Sequence, residues 1–261
     1  MELTTKNYFS LKELGLKRAE IADRFGIPDW KLKKLIAANN WGKPIPKIEF
    51  EDVFLTLDEF SCYWAGFLAS DGNVDSKNRV RIMLNYDDTG HLEKFKEYIG
   101  STHSISSNTD KYYRSSFEIT SKLMCEHLKL NFNIVPNKTA ILKFPHNLTG
   151  ENLKAYVRGY FDGDGSICES FSNKNSTTSS LYATFAGGCK SFITDLYSIL
   201  NRLLALGGTL QEYSDTKFQI KYNTNDAKTL LTWMYAESNI HLDRKYAKYV
   251  DLVVNNNRKV R

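Results

Sequence analysis

The sequence predicts an α+β fold made of two copies of one helix–strand–strand–helix–strand–strand–helix unit, preceded by a small all-α head. Three observations predict it. A short motif occurs twice, as Trp64-Ala65-Gly66-Phe67-Leu68-Ala69-Ser70-Asp71-Gly72 and as Val157-Arg158-Gly159-Tyr160-Phe161-Asp162-Gly163-Asp164-Gly165. The same order of alternating and helically periodic segments follows each copy. The first fifth of the chain has a different character, with short amphipathic helices and a surplus of basic residues.

Hydrophobic content of 42% and charged content of 25% are those of a globular domain, and 261 residues suffice for one large domain and a small one. No run approaches the ~20 apolar residues that a membrane span needs, and Met1–Ser10 lacks a signal-peptide core, so no membrane partner and an intracellular location, cytoplasmic or in an organellar matrix, are expected. The four cysteines are scattered without a Cys-x-x-Cys pair, which fits reduced thiols better than disulfides or a zinc site. The net charge is +5, of which residues 1–50 contribute +4, with ten Lys/Arg against six Asp/Glu. A nucleic-acid partner would therefore meet a basic head and local faces of a nearly neutral body.

The head covers residues 1–42. Arg18–Phe25 is expected to be a short helix with Ile21, Ala22 and Phe25 on one face. Gly26-Ile27-Pro28 breaks it, and Asp29 is expected to cap a second helix from Trp30 to about Asn39. Two short helices joined by a Gly-containing turn resemble a helix-turn-helix, whose second helix would present Lys31, Lys33 and Lys34 to a DNA groove. A plain helical cap on the larger domain is the other reading. Residues 43–51 read as a linker, stiffened by Pro44 and Pro46.

The first repeat, residues 52–148, opens with a helix expected from about Thr56, where Thr56-Leu57-Asp58-Glu59 has the form of a capping box, to Asp71, with Gly72 as its left-handed stop. Arg79, Arg81 and Met83 then alternate with Val80, Ile82 and Leu84, a strand with one basic and one apolar side. Thr89–Ile99 is helical, Tyr112–Ile119 alternates again with Arg114 on the polar side, and Ser121–Leu130 is helical. The second repeat, residues 149–256, runs from helix Gly150–Asp164 through strands Ser166–Phe171 and Leu181–Ala186, joined by the polar loop Ser172–Ser180. Helix Lys190–Leu206 and strands Gly208–Tyr213 and Phe218–Tyr222 follow, with Lys217, Gln219 and Lys221 on one face. Helices Asn225–Tyr235 and Leu242–Val254 complete it, and residues 257–261 form a basic tail.

Helices cross closely only where side chains are small, and Gly66/Ser70 and Gly159/Gly163 give each motif helix such a notch. Packed notch to notch, the helices would end together with Asp71 beside Asp164. Helix C-termini carry partial negative charge and free carbonyls, so two carboxylates there call for a cation. Oxygen ligands of this kind suit Mg²⁺, which in phosphodiester hydrolysis activates water and stabilises the leaving oxygen. Asp162-Gly163-Asp164-Gly165-Ser166 is not a calcium loop, because Ile167 stands where its glycine is required.

The motif pair and the repeat order over about residues 52–256 resemble the LAGLIDADG homing endonucleases. In the single-chain members of that family two units form a pseudo-symmetric saddle whose antiparallel sheets lie along the DNA major groove. The resemblance implies a site-specific DNA endonuclease that makes a metal-dependent double-strand break at a long asymmetric target, acting as a monomer in which each half cuts one strand. It implies that Asp71 and Asp164 are the metal ligands, and it points to Lys138 and Lys245 as supporting catalytic cations, which as plain surface lysines would do nothing. Arg79, Arg81, Arg114, Lys217, Gln219 and Lys221 become candidate DNA contacts, the alternative being a solvated sheet face. The first motif departs from the family pattern at Ala69, where the second keeps Asp162, an inner position that is not a metal ligand in the family. Residues expected of a splicing intein are missing, so a free-standing enzyme is implied. Two rival functions go with the same fold: a non-catalytic transcription regulator, and an RNA-splicing maturase with intron RNA as partner.

Overall fold

The computed structural model describes residues 3–39, 41, 47–110, 112–171 and 179–257. The start of the expected linker with the last residue of the head, residues 42–46, the middle of the polar loop, residues 172–178, and most of the basic tail lie outside them. The chain divides into two compact units, Met1–Lys47 and Ile48–Arg261.

The first unit holds three helices, α1 (Thr5–Glu13), α2 (Arg18–Arg24) and α3 (Asp29–Ala38). Tyr8, Leu11, Ile21, Ala22, Leu32 and Trp41 form its core. Tyr8 stacks on Trp41 at 5.0 Å between ring centroids, and the Trp41 indole donates to Thr5 Oγ1 at 2.9 Å. The α2–α3 turn depends on Gly26, which adopts φ +61°. Asp29 is not the N-cap of α3. Pro28 takes that place with extended backbone, and Asp29 is the first helical residue. Its carboxylate instead forms a bidentate pair with Arg18 at 2.7 and 2.8 Å, a stronger partner than a backbone amide.

The second unit repeats one topology twice. Its first half runs α4 (Glu59–Ser70), β1 (Gly72–Val74), β2 (Arg79–Asn85), α5 (Thr89–Tyr98), β3 (Ser106–Asn108), β4 (Arg114–Thr120) and α6 (Lys122–Phe132). The second runs α7 (Gly150–Asp164), β5 (Gly165–Ser170), β6 (Ser180–Gly187), α8 (Lys190–Leu204), β7 (Thr209–Ser214), β8 (Lys217–Asn223), α9 (Thr224–Tyr235) and α10 (Asp243–Tyr249). The last of these continues as a π-helical turn, Val250–Val254. Both sheets are fully antiparallel, ordered β1-β2-β4-β3 and β5-β6-β8-β7. The fold is that of the LAGLIDADG saddle, α+β with two equivalent four-stranded sheets, as the sequence predicts.

Strand alternation decides which face is buried. In β2 the buried residues are Val80, Ile82 and Leu84, while Arg79, Arg81 and Met83 are exposed. In β8 Phe218, Ile220 and Tyr222 point into the core opposite Lys217, Gln219 and Lys221. One continuous core joins both halves through α4 and α7. Both helices are buried through their middle turns, α4 over Ser61–Ala69 and α7 over Ala155–Asp162, where they pack against each other.

Three local expectations are corrected. Helix α4 begins at Glu59, not Thr56, because the capping box is Asp58 with Ser61: Asp58 Oδ1 accepts from Ser61 N at 2.8 Å and Ser61 Oγ from Asp58 N at 2.9 Å. Gly72 is no left-handed stop. It lies in β1, and a side chain there would press on the Leu68 backbone, with Leu68 Cα 2.6 Å from its Cβ. Strand β4 begins at Arg114, because Tyr113 adopts φ +46° and breaks the alternation begun at Tyr112.

Candidate nuclease site

Helices α4 and α7 cross with backbone against backbone. A side chain on Gly66 would collide with the Tyr156 carbonyl and lie 2.9 Å from Tyr160 N. A side chain on Gly159 would collide with the Tyr63 carbonyl and lie 2.9 Å from Phe67 N. The two contacts are equivalent, each helix presenting the same pair of backbone atoms to the other's glycine. One turn further on, Gly163 faces Ser70, whose Cβ would stand 2.7 Å from a Gly163 side chain. Ser70 turns its hydroxyl back to the Phe67 carbonyl at 2.9 Å and so stays small at the contact. Both helices therefore end at the same place. Asp71 is the C-cap of α4 and Asp164 the last residue of α7.

Both carboxylates are held above their ordinary range. Asp71 meets solvent, yet the surrounding protein and then the Asp164 charge push its carboxyl up to about 6, against attraction from Lys245, Lys138 and Arg244. Asp164 is half-buried and is also raised by burial, with Lys138 and then Lys245 opposing. Each acid thus has its stronger cation in the opposite half: Lys245 for Asp71, Lys138 for Asp164. The four groups make one shared cluster.

The two lysines are not surface side chains. Lys138 sits in a 3₁₀ turn after Asn137, which adopts φ +57°, and it is 7% exposed. Its ammonium donates to the Ser70 carbonyl at 3.4 Å, at the open end of α4. A small cavity of about 40 Å³ beside it is lined by Ser70, Thr139, Tyr160 and Asp164 among others. Lys245 is 3% exposed, and its ammonium lies 2.6, 2.7, 3.2 and 2.6 Å from the carbonyls of Phe161, Asp162, Gly163 and Gly165. Three N–H donors are thus shared among four acceptors at the negative end of α7. Burial draws both lysines below the usual range, Lys245 to about 8.

No group of three or more His, Cys, Asp and Glu side chains that could enclose a metal occurs among the described residues. Asp71 and Asp164 nevertheless fit a hard divalent ion such as Mg²⁺. That ion is commonly held by one or two carboxylates, with waters and substrate phosphates completing its shell. The carbonyls of Phe161, Asp162 and Gly163 at the end of α7 already accept from Lys245, and the carboxylates supply the anionic oxygens for such an ion.

The other candidate residues lie elsewhere. Arg79, Arg81 and Arg114 are exposed on the first sheet, and Lys217, Gln219 and Lys221 occupy the matching face of the second. The first face is largely self-neutralised. Arg79 pairs with Asp75 at 2.6 Å and with Glu118 at 3.5 Å, and Arg81 pairs with Glu118 at 3.0 Å. On the second face Lys221 lies 3.9 Å from the Tyr182 ring centroid, and Gln219 accepts from Tyr213 at 3.1 Å. Lys31, Lys33 and Lys34 are exposed on α3 of the separate head unit, with Lys34 5.4 Å from the Trp30 ring centroid.

Sequence reasoning missed a polar core beneath the site. Asp162, fully buried, accepts from Tyr63 Oη at 2.7 Å, Tyr235 Oη at 2.5 Å and Leu242 N at 2.8 Å. Arg158, 1% exposed, donates to the carbonyls of Ile240 and Met234 and to Glu59 at 2.6 Å. A signal was present: Arg158 and Asp162 interrupt an otherwise apolar motif helix and face neither water nor the small-residue notch.

The arrangement defines the class: the fold is that of the LAGLIDADG homing endonucleases, a DNA-endonuclease fold in a single chain. No family model matches the chain. Among solved structures it resembles meganuclease I-SmaMI bound to uncleaveable DNA (TM-score 0.53, 14% identity, 74% of this chain and 89% of that one). I-SmaMI bound to an uncleaved DNA target in the presence of calcium ions is similar (TM-score 0.52, 15% identity, 77% and 93%). So is the I-LtrWI LAGLIDADG homing endonuclease bound to target DNA (TM-score 0.50, 13% identity, 77% and 90%). Among curated proteins, the DNA-directed RNA polymerase subunit Rpo1C of Methanocaldococcus jannaschii is 25% identical over 157 residues, 57% of this chain. The match spans 18% of that protein's length. No helix among the described residues is long and apolar enough to cross a membrane.

Proposed function

We propose that the protein is a site-specific DNA endonuclease that makes a metal-dependent double-strand break at a long asymmetric target, working as a monomer with each half serving one strand. The observation that carries this reading is the meeting of the ends of α4 and α7, which bear Asp71 and Asp164, with the buried ammonium groups of Lys138 and Lys245 on the carbonyls of those same helix ends. Asp71 and Asp164 would hold the divalent ions, for which Mg²⁺ is the expected choice. Such ions, when bound, supply a Lewis acid at the phosphate and lower the pKa of attacking water. Lys138 and Lys245 offset the negative charge of the carboxylates and helix ends, and in the reaction they would stabilise charge on the phosphate.

The exposed strand faces would follow the major groove, with Arg114, Lys217, Gln219 and Lys221 available for base edges and phosphates. Halves that differ as Ala69 and Asp162 do suit a non-palindromic target. The head would add Lys31, Lys33 and Lys34 as a further electrostatic contact, and removing residues 1–45 should weaken DNA binding and flatten its salt dependence while leaving the chemistry intact. The test is cleavage of the DNA flanking the gene's insertion site with Mg²⁺, comparing wild type with Asp71→Asn and Asp164→Asn. Double-strand cutting by wild type and its loss in each variant is the expected result. Tight binding of a site without cutting would replace this reading with a DNA-binding regulator. Full double-strand cutting by either variant would overturn the assignment of the acids.

A further inference from the structure

The polar core beneath the site is one-sided. Segment Asn239–Lys245, which carries one of the two buried lysines, is fastened to the first half of the chain at nearly every step. Asn239 donates to Glu59 of α4 through its backbone and its side-chain amide, at 3.1 and 2.7 Å. Lys94 of α5 donates to the His241 carbonyl at 3.2 Å and to Asp243 at 2.6 Å. Arg244 pairs with Asp88 at 2.8 Å. From below, Asp162 holds Leu242 N, and Arg158 holds the Ile240 carbonyl while bonding the same Glu59 that grips Asn239. Tyr63 of α4 completes the crossing by donating to Asp162.

Among the described residues the opposite side has no such core. Superposing the motifs on Asp71 and Asp164 sets Ala65 and Ala69 in the places of Arg158 and Asp162. Among the described residues, the side-chain hydrogen bonds around Lys138 are its 3.4 Å bond to the Ser70 carbonyl and that of Cys189 Sγ, donating to the Leu142 carbonyl at 3.2 Å. The small cavity lies on this side. Two sites that share one topology are therefore held by unequal sets of hydrogen bonds.

We propose that Asp162 and Arg158 are positioning residues through which the first half sets Segment 239–245, and with it Lys245, so that the two half-sites are unequal and loss of the strap slows cleavage of one strand selectively. Neither residue touches the reacting phosphate. They act by holding the carrier of Lys245, and buried groups with complete hydrogen bonding define one geometry where apolar packing alone would admit several. The strand-selective part rests on the endonuclease reading above; the mechanical part does not.

Two measurements on the full chain separate them. The first needs no DNA: acylation of lysine amines with an N-hydroxysuccinimide ester, read residue by residue by peptide mass spectrometry. In wild type Lys245 is shielded. In Asp162→Asn its labelling should rise about tenfold, the change in local opening expected when a buried charged hydrogen bond is lost, while Lys138 labelling stays as in wild type. Glu59→Gln, which leaves Asp162 and its partners in place, should raise Lys245 labelling in the same direction and guards against a misfolded Asp162 variant. The second is strand-resolved cleavage of a DNA that wild type cuts, with each strand end-labelled. One strand should be cut at the wild-type rate and the other about tenfold more slowly, so that nicked DNA accumulates. Unchanged Lys245 labelling in both variants, or equal labelling gains at Lys138 and Lys245, would overturn the strap. Increased Lys245 labelling with both strands slowed equally would overturn the strand selectivity. A wild type that cuts no DNA would defeat the endonuclease reading, and the labelling would still decide the strap.

Discussion

The Tyr63 carbonyl occupies the place that a side chain on Gly159 would need, and the Tyr156 carbonyl does the same to Gly66. The obstructing atoms are backbone atoms of buried helices, so no side chain can swing aside. Gly66→Ala or Gly159→Ala should therefore destabilise the protein by about 3 kcal/mol or more, the upper end of overpacking penalties. Urea denaturation measures it. A loss below about 1 kcal/mol, the level of an ordinary helical substitution, would mean that the helices can separate at little cost.

The start of α4 offers a smaller and cleaner contrast. Asp58→Ala removes the carboxylate that caps the Ser61 amide and should cost about 1 kcal/mol. Thr56→Ala, two residues before the cap, should fall within about 0.5 kcal/mol of wild type. Equal losses in the two variants would return the helix start to Thr56.

The self-neutralised sheet predicts a gain of function in binding. Glu118 pairs with both Arg79 and Arg81, so Glu118→Gln should release them toward DNA phosphates. Affinity at low salt should rise, and the slope of log K against log salt should steepen by about one or two ions. An unchanged slope would show that these arginines stay with the protein when DNA is bound.

Acid sensitivity should trace in part to His91. Burial, followed by the charges of Lys94, His241, Arg244 and Lys245, lowers its imidazole to about 3, and its Nε2 lies 3.1 Å from Tyr63 Oη. The unfolded chain takes up a proton at this residue near its ordinary value of 6.5, which the folded chain refuses. Stability should thus be full above about pH 6.5 and fall by up to about 1.4 kcal/mol per pH unit from there toward 3. In His91→Gln the dependence of stability on pH over that window should be shallower. An identical dependence would place the acid sensitivity in other groups.

What the sequence made legible follows from periodicity. Long amphipathic segments such as β2, α8 and α7 were readable because one face of each meets a core. The three-residue strands Gly72–Val74 and Ser106–Asn108 were not, since three residues carry no alternation to read. The two acids were legible because they end a repeated motif. The strap was not, because Glu59, Lys94 and Asp88 look like solvated helix charges until the topology brings Asn239–Arg244 against them. Arg79 and Arg81 show the converse: alternation placed them on the exposed face, but only the pairing of β2 with β4 sets Glu118 beside them.

The matching order of the two sheets suggests interchangeable halves, and the strap denies it. The second half carries Asn239, Asp243 and Arg244, whose counterparts Glu59, Lys94 and Asp88 belong to the first. For an engineer who recombines halves to build new specificities, these six positions form a compatibility key. A chimera that imports a foreign first half must import the anchors with it, and a second half joined to a copy of itself would leave its own latch with nothing to close on.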